Sequence, residues 1–315
     1  MDSPLTVPPD AGVRSFLNAP IHTNLATLDA DIAVVGALYG VPYPPSGIET
    51  ACSSAPSAIR AASARYGFDS MIDHYDFDHG NDLLNGGALL ICDCGDVYAD
   101  QNDIGANVER IRSTVVAILE RGALPIVLGG DDSIPIPVFR AYEGHGPITI
   151  VQVDAHIDWR DDVHDVTEGY SSTMRRASEM PWVESIVQIG IRGVGSARRG
   201  EVDDATEWGA TIVTADAIHQ NGIGSALESI PDDRPVFITI DCDALDPSIM
   251  PAVGAPSPGG LTYHEARSLI QGICRDREIA GIDLVELTPH RDVNGISALT
   301  ACRLLTAAIG TLAMR

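Results

Sequence analysis

Lysine is absent from the chain: all 20 basic residues are arginine, set against 44 acidic ones, for a formal net charge of -24. A field of that sign repels nucleic acid and anionic membranes and mildly attracts cationic small molecules, although acidity also serves solubility alone. Aromatic residues are scarce, at 5%, so aliphatic side chains must build the core. The cysteines are few and scattered: Cys52, Cys92, Cys94, Cys242, Cys274 and Cys302, with no C-x-x-C pair. That usage excludes a disulfide framework and a thiolate zinc site, and it suits a reducing compartment. No uninterrupted apolar run reaches the roughly 18 residues of a membrane span, and the first residues show no basic region followed by an apolar stretch. The expected location is the cytoplasm, with neither nucleic acid nor membrane as a partner.

What is present is an alternation of short apolar runs and amphipathic stretches. Strands are predicted over 31–38, 87–97, 125–130, 147–158, 185–193, 235–247 and 279–287, and helices over 56–67, 106–121, 264–276 and 297–314, with Gly67 as a helix stop. Apolar strands alternating with helices predict an α/β fold: a single domain with a mostly parallel sheet covered by helices on both faces. No internal repeat or linker divides it. Residues 1–30 are Pro-rich and weakly periodic and read as an extended N-terminal arm, leaving 31–315 as the α/β domain.

Ligands of such folds gather at the carboxyl ends of the strands, and the polar residues of this chain concentrate there. VQVDAHID ends in Asp154, His156 and Asp158, which strand alternation would place on one face. TIDCDALDP adds Asp241 and Asp243, with Cys242 pointing the other way. Burying several carboxylates together is costly, and a pair of dications would supply the missing positive charge. The mixed oxygen and nitrogen donors suit Mn²⁺ or a similar hard ion. Asp246, before Pro247, reads as a cap or turn residue. LGGDDS contributes a third strand end, with glycines that permit close approach to a ligand and Asp132 as a further candidate.

Together these residues resemble the ureohydrolase family of arginase, agmatinase and related guanidino hydrolases, from about Val34 to the C-terminus. LGGDDS looks like the family's G-G-D-H-S, VDAHID like D-A-H-x-D, and TIDCDALDP like S-x-D-x-D-x-x-D-P; CDCGDV and VELTP look like further family segments. The resemblance implies the arginase-like three-layer fold, two Mn²⁺ ions, and hydrolysis of a guanidino compound to urea and an amine by a metal-bridging hydroxide. It also implies that Asp154 and Asp241 bridge the ions, that His156 and Asp243 complete one site, and that Asp158 serves the other. Glu286, in VELTP, stands where the family's acid pairs with the guanidinium. Trimers or hexamers are the assemblies that the resemblance suggests.

Three departures bear on the chemistry. Asp132 replaces the usual metal-binding His, raising the carboxylates around the ions from four to five and implying a less acidic bridging water. Tyr170, in YSSTMRRA, replaces a His linked to proton shuttling; with an ordinary pKa near 10 it is a poor shuttle at neutral pH, and His164 is the alternative, if it is not simply an exposed loop residue. The early loop ALYGVPYPPSGIETACSSAPSAIR follows the family only at its end, from Pro56 to Arg60. Agmatine, a dication, is the first expectation for the substrate. A carboxylate-bearing guanidine would instead want a cation such as Arg160, Arg175 or Arg176, residues that could equally be surface pairs. A catalytically silent metal-binding subunit is the competing class.

Overall fold

The computed structural model describes residues 5–10, 12–43, 51–64, 74–100 and 102–315. The expected helix stop at Gly67 and residues 44–50 of the early loop lie outside them. Among the described residues, nine strands form one sheet: Thr6–Val7 (β1), Ile32–Gly36 (β2), Ile91–Val97 (β5), Leu124–Leu128 (β6), Ile148–Val153 (β7), Val183–Ile191 (β8), Thr211–Thr214 (β9), Val236–Asp241 (β10) and Ile279–Val285 (β11). Their order is β1-β5-β2-β6-β11-β10-β7-β8-β9, and every pairing is parallel except β1 on β5. Tyr75–Asp76 (β3) and Asn81–Asp82 (β4) make a separate small hairpin.

The central strands are apolar on both faces because both faces are covered. Alternation divides their side chains: Val34, Ile126, Val151, Ile238 and Leu284 enter one core, whereas Val35, Val127, Ile150, Phe237 and Val285 enter the other. Helices Ala55–Ser63 (α1), Tyr263–Asp276 (α8) and Ile296–Ala313 (α9) cover the first face. Ile104–Leu119 (α2), Pro135–Arg140 (α3) and Thr173–Ser178 (α4) cover the second. Arg199–Trp208 (α5), Ala215–Asn221 (α6) and Gly224–Glu228 (α7) pack near the β9 edge. The fold class is as expected, and each predicted strand has its counterpart within a few residues. Helix α9 is long and apolar enough to cross a bilayer by composition, but 78% of that stretch is buried in the fold, as befits a core helix.

Within the expected N-terminal arm, the described residues 5–10 and 12–30 pack on the chain's own domain. β1 extends the chain's own sheet, Phe16 and Leu17 are fully buried in the core, and the Phe16 amide donates to Asp93 Oδ2 at 2.7 Å. Two large apolar side chains, nine and ten residues beyond Val7 of the strand-forming Thr-Val pair, anchor the segment.

Candidate metal centre

Strands β6, β11, β10 and β7 are neighbours, so the segments leaving their carboxyl ends converge. Those segments carry Asp131–Asp132, Glu286, Asp241–Asp243 and Asp154–Asp158 respectively. The strands stop there because their own side chains take over the backbone donors. Asp154 Oδ1 accepts from the His156 amide at 2.6 Å, and Asp241 Oδ1 accepts from the Asp243 amide at 2.7 Å. Asp154, His156 and Asp158 therefore meet through a turn, not through strand alternation as expected: β7 ends at Val153, and Asp158 has a left-handed φ of 44°. Glu286 is held the same way, with φ 65°, its amide donating to Gly130 O at 2.8 Å.

The glycines of LGGDDS serve packing between strands. A Cβ at Gly130 would lie 2.6 Å from Leu38 O, so only glycine lets β6 run so close to the end of β2. Glu286 Oε1 in turn accepts from the Asp132 amide at 2.9 Å, tying β11 to this turn.

Two groups of ligand atoms result, each mutually within 4.8 Å: Asp132, Asp154 and Asp241, and Asp154, His156 and Asp243. They share Asp154. His156 Nδ1 lies 3.1 Å from Asp243 Oδ2 and 3.4 Å from Asp154 Oδ1. Asp158 belongs to neither group; its Oδ2 accepts from Gln152 Nε2, 2.7 Å away. All five aspartates and Glu286 are buried.

The electrostatics call for cations. Burial and then neighbouring carboxylates push Asp132, Asp158, Asp241 and Asp243 above the usual carboxyl range, and they push Glu286 up to about 8. Asp154 is lowered despite burial, because His156 lies against it, and His156 is itself raised to about 11 by Asp154 and Asp243 against its own burial. Asp132 Oδ2 is buried with no hydrogen-bond partner. Arg192, a nearby cation, spends its guanidinium on carbonyls: Nη2 donates to Asp243 O and Ser257 O, both at 2.6 Å. One imidazole cannot neutralise six acids. Five carboxylates, one imidazole and an orphaned acceptor fit a pair of hard divalent ions, with Asp154 able to contact both.

The cavity over this centre is small, about 140 Å³, and beyond the acids it is lined by Arg160, Tyr170, Ser171 and Ser196. Tyr170 packs against Tyr43, ring centroids 4.4 Å apart and planes tilted by 59°. Arg160 Nε stands 3.8 Å from Glu201. Neither His164 nor Arg175 lines this cavity. His164 is an exposed turn residue with φ 53°. Arg175 faces Glu179 at 3.5 Å and Asp161 at 3.9 Å, and Arg176 pairs with Asp161 at 2.7 Å. Asp246 anchors a turn, where hydrogen bonds from Ser248 and the Gly259 and Gly260 amides hold its carboxyl at about 2. A larger groove of about 600 Å³, between β3–β4 and helices α8 and α9, has none of the clustered acids.

Three residues around the centre escaped the sequence reading: Gln152, Gln188 and Arg192. Their signal was a lone polar residue inside or directly after an apolar strand, in VQVD and in IVQIGIRG.

The arginase family pattern matches residues 32–310. The chain is 33% identical over 322 residues to the mitochondrial agmatinase of Gallus gallus, covering 96% of this chain and 88% of that one. It is 30% identical to the guanidinobutyrase of Pseudomonas aeruginosa, covering 95% and 92%. Among solved structures, the proclavaminate amidino hydrolase of Streptomyces clavuligerus superposes with a TM-score of 0.83 at 27% identity, covering 98% of this chain and 99% of that one. With the fold, the acidic strand ends and these likenesses in agreement, the chain belongs to the arginase family, binuclear-metal hydrolases acting on the C–N bonds of linear amidines.

Proposed function

We propose that the protein hydrolyses a small guanidino acid to urea and an amino acid at a centre of two Mn²⁺ ions. Support comes first from the two ligand groups that share Asp154, with Glu286 beside them and Arg160 on the same cavity wall. Asp132, Asp154 and Asp241 would hold one ion, and Asp154, His156 and Asp243 the other, with Asp158 completing the shell. When bound, the ions polarise the guanidino group and lower the pKa of water in the site.

The rest is done by the chain's own groups. Glu286, ionised once cations neutralise its neighbours, accepts hydrogen bonds from the guanidinium and orients its carbon over Asp154 and Asp241. The Tyr170 hydroxyl and Ser171 face the linker of the substrate. Arg160 offers a fork of donors for a carboxylate at the far end. The size of the cavity suits a short chain. Homo-oligomeric assembly and a cytoplasmic location complete the reading, on the family likeness and six unpaired cysteines.

Agmatine is the second reading, favoured by the acidic field and by the likeness to an agmatinase. Arg160 separates the two, because a cation on the cavity wall repels agmatine's ammonium and attracts a carboxylate. The expected result is a higher kcat/KM for guanidinobutyrate or guanidinopropionate than for agmatine. Arg160→Ala should raise KM for the acids roughly tenfold to a hundredfold, the worth of a charge-assisted hydrogen bond, and lower KM for agmatine, whose ammonium loses a repelling neighbour. A preference for agmatine that is indifferent to Arg160→Ala would reverse the choice.

A further inference from the structure

Beneath the aspartates lies a second tier of polar side chains. Gln152 stands two residues before Asp154, and Thr239 two before Asp241, so each faces the same side of the sheet one step deeper. Across the strands Gln188 pairs with Gln152, Gln152 with Thr239, and Thr239 with Asp283, all of them buried. A polar row through the middle of an apolar sheet is costly unless its groups are matched. Here Thr239 Oγ1, the Asp283 carboxylate and Gln188 Oε1 have no hydrogen-bond partner among the described residues, whereas the amide donors of Gln152 and Gln188 are all used, and in one direction.

Gln152 Nε2 spends both hydrogens on the centre, donating to Asp154 Oδ2 at 2.7 Å and to Asp158 Oδ2 at 2.7 Å. Its Oε1 accepts from Gln188 Nε2 at 2.5 Å. The second hydrogen of Gln188 goes to Ile157 O at 2.7 Å, the carbonyl just before the left-handed Asp158. Turning either amide over would set oxygen against oxygen at two contacts, so each fixes the other.

We infer that Gln188 and Gln152 form a two-amide relay that positions Asp154 and Asp158 for the metal ions. The inference rests on the metal reading above and goes beyond it. Asp158 belongs to neither compact ligand group, and the relay is what brings its carboxylate to the side of Asp154. Through Ile157, Gln188 also fixes the backbone from which Asp158 projects. Without the relay, two adjacent buried carboxylates lose their shared donor, and Asp158 is free to swing from the centre. Such outer partners of metal ligands typically govern affinity by tenfold to a hundredfold.

The test is a titration of metal-free protein with Mn²⁺, followed by calorimetry and electron paramagnetic resonance, for the wild type, Q152M and Q188M. Methionine keeps the volume of the side chain and removes its donors. The expected wild-type result is two ions and the spectrum of a coupled pair. In Q152M one ion should bind at least about tenfold more weakly, with the spectrum of isolated Mn²⁺, whatever happens to the melting temperature of the metal-free form. Q188M should move the same way by less, and the double variant should lose less than the sum, because Gln188 acts largely through Gln152. Should Q152M fail to fold, Q188M decides by the same two readouts. Wild-type affinity and a coupled spectrum in the variant would overturn the relay. A wild type that binds no pair would overturn it together with the metal reading.

Discussion

Asp241 and Asp132 stand in the same ligand group but make different demands on experiment. Asp241 also caps the turn that carries Asp243, so its loss removes a ligand and loosens a second one. Asp241→Ala is expected to abolish tight metal binding and activity together, measured as metal content after dialysis and as product formation; full activity in that variant would refute its place in the centre. Asp132→His is the finer change. It removes one negative charge from the shell, which should make the bound water more acidic, lower the pH optimum and shift metal preference toward ions that favour nitrogen. An unchanged optimum and preference would remove Asp132 from the ligands. At this scale sequence spacing had a clear limit. Arg160, Arg175 and Arg176 lie close together in the chain, but the turn opened by Asp158 directs Arg160 to the cavity and leaves Arg175 and Arg176 against Asp161 and Glu179.

At the scale of elements, the strand ends are fixed by paired charges as well as by aspartate turns. Arg60 on α1 is fully buried, with Nε 2.8 Å from Asp93 Oδ2, Nη1 2.6 Å from Asp96 Oδ1, and Nη2 donating to Gly95 O at 2.8 Å. It joins α1 to β5 near the Phe16 anchor. Arg60→Met would strand two buried carboxylates and is expected to cost about 3–5 kcal/mol, the usual penalty for breaking a buried pair by removing one partner. Denaturant unfolding measures it, and a loss under about 1 kcal/mol would show the aspartates to be neutralised some other way. The central strands were legible in the sequence because burial on both faces leaves continuous β-branched runs, as in ITIV and VFITI. β1 and β9 were not, since a two-residue strand and a partly exposed edge of four residues carry no period. The ligand aspartates were legible because acids at the end of an apolar run are conspicuous. The mechanism that gathers them was not, because the amide captured by Asp154 ends β7 one residue before alternation could apply.

On the scale of the whole molecule, a buried acidic centre makes stability depend on metal and pH together. Burial raises the carboxyls of Asp132, Asp158, Asp241 and Asp243 in the folded state, and it pushes Asp283 and Glu286 to about 8. A carboxyl raised on folding stabilises the fold while protonated; that contribution is complete below about pH 4 and is lost as the pH climbs through the folded value. His156, raised to about 11, loses its contribution in the same direction, and within the centre Asp154, lowered in the fold, opposes them. The metal-free protein should therefore lose thermal stability from mildly acidic pH through about pH 8, while metal binding, which releases protons, strengthens with pH. The gap in melting temperature between loaded and metal-free protein should widen as pH rises; a constant gap would contradict the assignment of these acids to the metals.

The most direct measurement is urea release by the Mn²⁺-loaded protein, before and after chelation, from guanidinobutyrate, guanidinopropionate, agmatine and guanidine. The expected result is urea together with the matching amine from at least one guanidino acid, abolished by chelation and restored by Mn²⁺. Two bound ions with no urea from any of the four compounds would contradict it.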